Sequence, residues 1–238
     1  MLTIKDLTVS IADKEIIHDF SYVFEKGKTY VVMGPNGSGK STLASAVMGN
    51  PVYSVSDGSE IIFNKKSLVE LESYERAQKG IFMTFQSPLA LSGVTVFQLL
   101  RKALGKEKDV TELYDELVEF GKKLSISPDL LERSLNDGFS GGERKKMELL
   151  QAAILKPTCI FFDEIDTGVD VDSLKKIGTF MSGMKSKDSI FIIITHHSRI
   201  LKYIKPDKVL VLDKGKLVKV GDADLAEEIE KKGYTTFI

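Results

Sequence analysis

A glycine-rich turn between a predicted strand and a predicted helix constrains this chain more than any other feature. The apolar run 30–33 predicts a buried strand, and the composition from Ser41 onward favours a helix. Between them, the pattern Gly34-x-x-x-x-Gly39-Lys40-Ser41 lets the backbone curl so that successive N–H groups point at one anion. The positive end of the following helix faces the same anion. The turn is therefore a P-loop, which predicts a nucleoside triphosphate site.

Two side chains of the P-loop have expected chemical roles. Lys40 supplies a mobile positive charge for the β- and γ-phosphates, and the Ser41 hydroxyl is a ligand for Mg²⁺. The residues expected to bind the nucleotide are consecutive: Gly34, Pro35, Asn36, Gly37, Ser38, Gly39, Lys40, Ser41 and Thr42.

Composition excludes several other classes of protein. The chain is 42% hydrophobic and 28% charged, as in soluble globular proteins, and its net charge is −1. That charge gives no bulk attraction to nucleic acid or to an anionic membrane, so we expect no nucleic-acid partner. Because no run of 18 apolar residues occurs, we expect no direct membrane insertion.

Cysteine usage bears on both location and cofactor. The single cysteine, Cys159, fits a reducing compartment, and the N-terminus has no signal-peptide character, so we expect a cytoplasmic protein. One thiol also cannot hold an iron–sulfur cluster within this chain. We expect Cys159 to be a small core residue at the start of a strand.

Predicted strands and helices alternate at both ends of the chain, and a mostly helical block from about 94 to 156 interrupts them. Such alternation predicts a parallel sheet covered on both faces, with ligands at the carboxyl ends of its strands. Gly34, Asp163 and Thr195 all follow predicted strands. We expect residues 1–90 and 157–238 to form a nucleotide-binding α/β core and residues 91–156 a helical subdomain.

An acidic pair ends the apolar run 159–163. Asp163 at the strand end can hold Mg²⁺, and Glu164 can orient an attacking water as general base. The alternative is an acidic strand end that faces solvent. The P-loop favours the functional interpretation, since the two features together form a phosphate-transfer site.

The stretch 139–143, Phe-Ser-Gly-Gly-Glu, is the most informative one downstream. Ser140 and Glu143 have the spacing of a capping box at a helix N-terminus. That role does not explain Gly141 and Gly142, which are poor residues for a first helical turn. Two glycines at this point fit a phosphate that must approach the backbone closely.

This stretch resembles the Leu-Ser-Gly-Gly-Gln signature of ABC-type ATPases, with Phe139 for Leu and Glu143 for Gln. The resemblance implies an α/β P-loop NTPase with a parallel-sheet core, an antiparallel β subdomain and an inserted helical subdomain. It implies Mg²⁺-dependent ATP hydrolysis between two copies of the chain, paired head to tail. Ser140, Gly141, Gly142 and Glu143 of one copy would then face the ATP of the other.

Other motifs of that family have counterparts here. Gln86 follows a strand, as does the family's Q-loop glutamine, which senses Mg²⁺ and the γ-phosphate. Residues 167–170 resemble the D-loop, which places Asp170 at the dimer interface. His196 resembles the switch histidine that contacts the γ-phosphate, although a lone histidine is more often structural. We expect His197 to face solvent or to be structural.

A narrower resemblance, to the SufC subfamily of soluble ABC-type ATPases, extends over nearly the whole chain. Transporter subunits usually have Glu-Pro-Thr-Ser-Ala-Leu-Asp after the acidic strand, whereas this chain has Ile-Asp-Thr-Gly at 165–168. The resemblance implies a motor bound to SufB/SufD-like scaffold proteins of iron–sulfur cluster assembly. The similar segments are 75–82, 85–88, 138–143, 163–172, 196–201 and 221–234.

Two other functions stay open from sequence: the ATPase subunit of a membrane transporter, and an ABC-like ATPase acting on nucleic acid or ribosomes. The near-neutral charge and the single copy of each motif disfavour the second. The region 86–101, with Leu89, Leu91, Val94 and Phe97, is expected either to dock the scaffold or to pack the helical block. Lys145 and Lys146 follow one turn into the predicted signature helix and could pair with nearby carboxylates.

Overall fold

A computed structural model describes residues 1–105 and 108–237. Residues 106 and 107, in the predicted helical block, and residue 238, in the predicted core, lie outside the described residues. The strands in chain order are β1 Leu2–Ile11, β2 Lys14–Phe24, β3 Thr29–Met33, β4 Ser54–Val55, β5 Glu60–Phe63, β6 Lys66–Ser67, β7 Ile81–Thr84, β8 Leu91–Thr95, β9 Ser134–Leu135, β10 Cys159–Asp163, β11 Ile190–Ile194, β12 Lys208–Asp213 and β13 Lys216–Gly221.

The α-helices lie between and after these strands. In chain order they are α1 Lys40–Met48, α2 Ser73–Gln78, α3 Val96–Leu104, α4 Val110–Leu124, α5 Pro128–Glu132, α6 Gly141–Leu155, α7 Val171–Met184 and α8 Asp224–Lys232. Helix α6, which begins directly after Ser140, is called the signature helix below.

The central sheet has the strand order β13-β12-β3-β11-β10-β7. Strands β12, β3, β11, β10 and β7 are parallel, and β13 adds to β12 as an antiparallel hairpin. Side chains of β3 alternate between two cores, with Val31 and Met33 in one and Tyr30 and Val32 in the other. The sheet is therefore covered on both faces, as its continuous apolar strands require.

An antiparallel sheet, of order β2-β1-β5-β6 with β4 paired to β1, packs on one side of the central sheet. Its apolar residues share a core with helix α1 and one face of the central sheet. Phe24 and Tyr30 make an edge-to-face contact across this core, with ring centroids 4.9 Å apart. The second core joins the other face of the central sheet to α3, α4, α6 and α7.

The predicted α/β class, parallel sheet and antiparallel β layer are confirmed. The block from 94 to 156 is not purely helical, however, because β8 and β9 pair as a two-stranded sheet within it. This pairing joins segments about 40 residues apart, so no local pattern announces it. The division at residues 90 and 157 stays a prediction.

Candidate nucleotide site

The P-loop connects β3 to α1 and its shape depends on close contacts. A Cβ on Gly34 would lie 2.1 Å from the Leu212 carbonyl oxygen, and one on Gly39 2.6 Å from Ile17 Cδ1. Gly39 also has a φ of 99°, in the left-handed region that favours glycine. Both glycines are therefore required by the packing of this chain itself.

Lys40 is buried inside the loop, and the residue is only 5% exposed to solvent. Its Nζ donates to the carbonyl oxygens of Gly34 and Pro35, each at 2.9 Å. Burial lowers the pKa of Lys40, while the negative charges of Glu164 and Asp163 oppose that effect. The ammonium is thus held by two neutral carbonyl acceptors, which a negatively charged phosphate can replace.

Asp163 ends β10 and meets the P-loop directly. Ser41 Oγ donates to Asp163 Oδ1 at 3.1 Å, and the Asp163 backbone N–H donates to Thr84 Oγ1 at 3.0 Å. Burial raises the pKa of Asp163, and the hydrogen bond from Ser41 opposes that shift. The structure therefore brings together the hydroxyl and the carboxylate that the sequence predicts as metal ligands.

Glu164 lies next to two other predicted site residues, Gln86 and His196. Gln86 Nε2 donates to Glu164 Oε2 at 2.8 Å, and His196 Nδ1 lies 3.5 Å from Glu164 Oε1. His196 Nδ1 is buried and has no hydrogen-bond partner among the described residues. Glu164 has a φ of 48°, which is uncommon for a residue with a side chain. The carboxylate is thus held at the junction of the sheet's strand ends, beside Asp163.

The signature turn is exposed, and its capping box is present. Ser140 Oγ accepts from the Glu143 N–H at 3.3 Å, and Glu143 Oε2 accepts from the Ser140 N–H at 2.7 Å. Hydrogen bonding of the Glu143 carboxyl to the Ser140 side chain and then to the Ser140 N–H lowers the pKa of Glu143, with the Ser140 side chain as the largest cause. Both residues therefore have a structural role within the chain, as the spacing predicts.

Asp170 also has a local role. Its carboxylate caps α7 by accepting from the Ser173 N–H at 2.9 Å, and this hydrogen bond lowers the pKa of the carboxyl. The D-loop lies beside the signature turn, since a Cβ on Gly141 would be 3.7 Å from the Gly168 carbonyl oxygen. His197 is exposed, as one of its two predicted alternatives requires.

The residues of the loop fit a phosphate and Mg²⁺. Ser38 Oγ is buried without a hydrogen-bond partner among the described residues, and a Cβ on Gly37 would meet open space. No described side chain caps the N-terminus of α1, and its first turn contains no acidic residue. These amides remain available to an anion, while Ser41, Asp163 and Gln86 offer the oxygen ligands that Mg²⁺ prefers.

Sequence reasoning assigned no role to several side chains that support this site. Thr84 holds the Asp163 backbone, and Thr195 Oγ1 donates to the fully buried Asp166 at 2.9 Å. Their positions directly at strand ends were the available signal. Lys145 and Glu148 are buried beside the Q-loop, and no carboxylate of the described residues lies within 4 Å of the Lys145 ammonium. Neither Lys145 nor Lys146 forms an ion pair with a carboxylate of the described residues, so the pairing considered from the sequence is not observed.

An ATP-binding cassette is defined by three features arranged around one sheet. They are a P-loop, an acidic strand end and a helix whose first residues are glycines. A family model described as ABC transporter matches residues 17–167, and the chain belongs to that family. It is 42% identical to the probable ATP-dependent transporter SufC of Escherichia coli, an alignment that covers 98% of this chain and 97% of that protein. The chain is therefore an ABC-type ATPase and a homologue of SufC.

Solved structures have the same fold. MJ1267, an ATP-binding cassette of an ABC transporter, superposes with a TM-score of 0.79 and 25% identity, covering 100% of this chain and 98% of that one. The dimeric structure of the bacterial cassette MJ0796 gives a TM-score of 0.80 at 16% identity, covering 94% and 99%. Among the described residues of our chain, every helix is too short or too polar to cross a bilayer.

Proposed function

We propose that this ATPase drives a scaffold of iron–sulfur cluster assembly by pairing head to tail with a second copy in the ATP-bound state. Similarity to SufC along 98% of the chain supports the assembly role. The single buried cysteine agrees with it, because the thiolates that hold a cluster must then belong to a SufB/SufD-like partner. We place the chain in the cytoplasm, where such thiols stay reduced.

The observation that carries the pairing is a pair of glycines that this chain does not need for its own fold. Gly141 and Gly142 have no positive φ, and a Cβ on either would make ordinary contacts at 3.7 and 3.9 Å. Alanine would stabilise the first turn of the signature helix. The absence of a Cβ therefore serves a group outside the chain, and the γ-phosphate held by a second copy's P-loop fits.

Each half-site then contributes different groups to hydrolysis. Lys40 and the free amides of α1 hold the β- and γ-phosphates, and Ser41 and Asp163 hold Mg²⁺, which neutralises phosphate charge. Glu164 takes the proton of the attacking water. Gln86 and His196 keep the Glu164 carboxylate oriented, through the contacts at 2.8 and 3.5 Å.

The Glu164→Gln variant tests this assignment. We expect hydrolysis to fall by about 100-fold or more, since a general base contributes factors of this order, while ATP still pairs two copies. Phosphate release gives the rate, and sedimentation with and without Mg·ATP gives the pairing. The matched control is Asp172→Asn, an exposed acid on α7 that should keep wild-type hydrolysis. Undiminished turnover in Glu164→Gln would remove Glu164 from this role.

An exposed apolar patch beside Gln86 is the candidate scaffold contact. Leu89 is 79% exposed and Phe85 61% exposed, and Leu91 lies on the same segment at 38%. Phe97 instead packs against the helical core, so the predicted region divides between the two expected roles. Leu89→Asp should abolish co-purification with a SufB/SufD-like scaffold, whereas Tyr74→Asp, at a 65% exposed residue on α2, should not. Intact binding by Leu89→Asp would exclude this surface.

The alternative function is the ATPase subunit of a membrane transporter, which the description of the Escherichia coli relative as a probable ATP-dependent transporter supports. Co-purification separates the two, because one predicts a soluble iron–sulfur scaffold and the other a membrane fraction. Cluster reconstitution on the scaffold with this ATPase should depend on ATP and fail with Glu164→Gln. Equal cluster yield without ATP would contradict the assembly role.

A further inference from the structure

Two buried ionisable side chains of the signature helix take no part in the site described so far. Lys145 and Glu148 are each 4% exposed and lie three residues apart, on the same face of α6. Both point at the Q-loop, the segment that leaves the central sheet after Thr84. Because their helix begins directly after Ser140, these two side chains connect the signature turn with the Q-loop, which is distant in sequence.

The pair holds the backbone of two consecutive Q-loop residues. Glu148 Oε1 accepts from the Phe85 N–H at 2.6 Å. Lys145 Nζ donates to the carbonyl oxygens of Phe85 at 2.7 Å and of Gln86 at 3.0 Å. Because the pairing of β7 with β10 ends at Thr84, these side chains replace the strand partner that the Q-loop backbone has lost.

Burial of this pair costs stability. No carboxylate of the described residues lies within 4 Å of Lys145 Nζ, and Glu148 Oε2 is buried without a hydrogen-bond partner among them. Apolar side chains would pack here with less desolvation. They would, however, leave one N–H and two carbonyl groups of the Q-loop without partners. The observed residues therefore fix the Q-loop backbone, at a higher desolvation cost than apolar residues would have.

We propose that Lys145 and Glu148 are positioning residues that fix the Q-loop to the signature helix, so that Gln86 and Ser140 move as one body. Gln86 contacts Glu164 at 2.8 Å, so the position of its backbone sets the orientation of the general base. A partner that docks on the exposed Phe85 and Leu89 and displaces the Q-loop would also displace the signature turn, because Lys145 and Glu148 connect the two. The inference rests on the proposed roles of Gln86 and Glu164.

We call the hydrogen bonds from Lys145 and Glu148 to the Q-loop backbone the clamp. The first test measures how firmly the clamp holds the Q-loop and needs no activity assay. Hydrogen exchange of the peptide amides at 82–90 should be at least about tenfold faster in Lys145→Met and Glu148→Leu than in the wild type. Glu148→Gln keeps an acceptor for the Phe85 N–H and should stay within about twofold. The control is Lys146→Met, at a neighbouring buried lysine for which the described residues show no hydrogen bond to the Q-loop. Unchanged exchange in both clamp variants would overturn the proposal.

The second test is a double-mutant cycle on hydrolysis. Lys145→Met should lower kcat about tenfold, with the affinity for ATP in the absence of Mg²⁺ within about twofold, because the P-loop is untouched. In a Gln86→Ala background the same change should cause no further loss, since the two act as one unit. Lys146→Met and Gln86→Ala should instead combine additively.

Additive losses for Lys145→Met and Gln86→Ala would overturn the clamp, even where each single variant is impaired. If Lys145→Met does not fold, the comparison of Glu148→Leu with Glu148→Gln in the same cycle decides the question. Failure of the underlying function is distinguishable: it would appear as continued hydrolysis by Glu164→Gln. An inactive Glu164→Gln together with an additive cycle refutes only the clamp.

Discussion

The P-loop and the signature turn both contain glycines at a helix N-terminus, but the two sets have different causes. Gly34 is required from within because its Cβ would lie 2.1 Å from the Leu212 carbonyl oxygen, and Gly39 because its φ of 99° is in the left-handed region that favours glycine. Gly141 and Gly142 have room for a Cβ and ordinary φ values. The packing of this chain thus accounts for the P-loop glycines, whereas it does not account for the glycines of the signature turn.

The surroundings of the two turns differ in the same way. Lys40 and Ser41 already make hydrogen bonds to groups of their own chain, at 2.9 and 3.1 Å. Ser140 and Gly141 are exposed, and their hydrogen bonds serve only the helix cap. The P-loop side chains are therefore held by contacts within the chain, whereas the signature turn is exposed at the surface.

The largest expected effect is on folding at Gly34. Gly34→Ala forces a Cβ against the Leu212 carbonyl oxygen, so we expect the free energy of unfolding to fall by about 3 kcal/mol. Denaturant unfolding measures this value. Gly142→Ala serves as the comparison, since its Cβ fits. A Gly34→Ala protein as stable as the wild type would refute the claim that internal packing requires this glycine.

The next effect is on nucleotide affinity at Lys40. Lys40→Ala removes a buried cation that makes two hydrogen bonds in the loop, and we expect Mg·ATP to bind about 100-fold more weakly. Isothermal titration measures the affinity. The control is Lys205→Ala, an exposed lysine away from the loop. Unchanged affinity in Lys40→Ala would contradict the assignment of the P-loop.

A pH effect on stability is expected within the signature helix. Burial raises the pKa of Glu148 from 4.5 to about 7, so between these pH values the folded chain keeps a proton that the unfolded chain loses. The Glu148 contribution to stability therefore falls as pH rises through this window. Glu148→Gln lacks this titration, and its stability relative to the wild type should improve by about 2 kcal/mol from pH 5 to pH 8. A pH-independent difference would contradict the burial of a titrating carboxyl here.

The smallest expected effect on stability is at Gly142, where a small gain in stability should accompany a large loss of hydrolysis. Gly142→Ala should raise the free energy of unfolding by about 0.5–1 kcal/mol, because alanine favours the helix. The same change should lower hydrolysis at least about tenfold, since its Cβ enters the space of the partner's phosphate. Gly183→Ala, with open space around it on α7, should gain stability and keep full activity. Full hydrolysis by Gly142→Ala would contradict the paired arrangement.

The sequence by itself determined the motifs and secondary-structure elements that depend on residues close together along the chain. The P-loop, the buried strands β10 and β11 and the capping box at Ser140 are patterns of period, turn chemistry and spacing within a few residues. The placement of Gln86, Asp163 and His196 after strands also followed, because parallel strands bring their carboxyl ends to one edge. Their roles in binding and hydrolysis stay predictions.

Only the tertiary structure decided how distant segments meet. It paired β8 with β9, gave Glu164 its left-handed backbone, and buried Lys145 and Glu148 against the Q-loop. Local rules place charged residues of a helix in solvent, so they predict the wrong environment for this pair. The structure also shows that a Cβ would fit at Gly141 and Gly142, so the packing of this chain does not account for these two glycines.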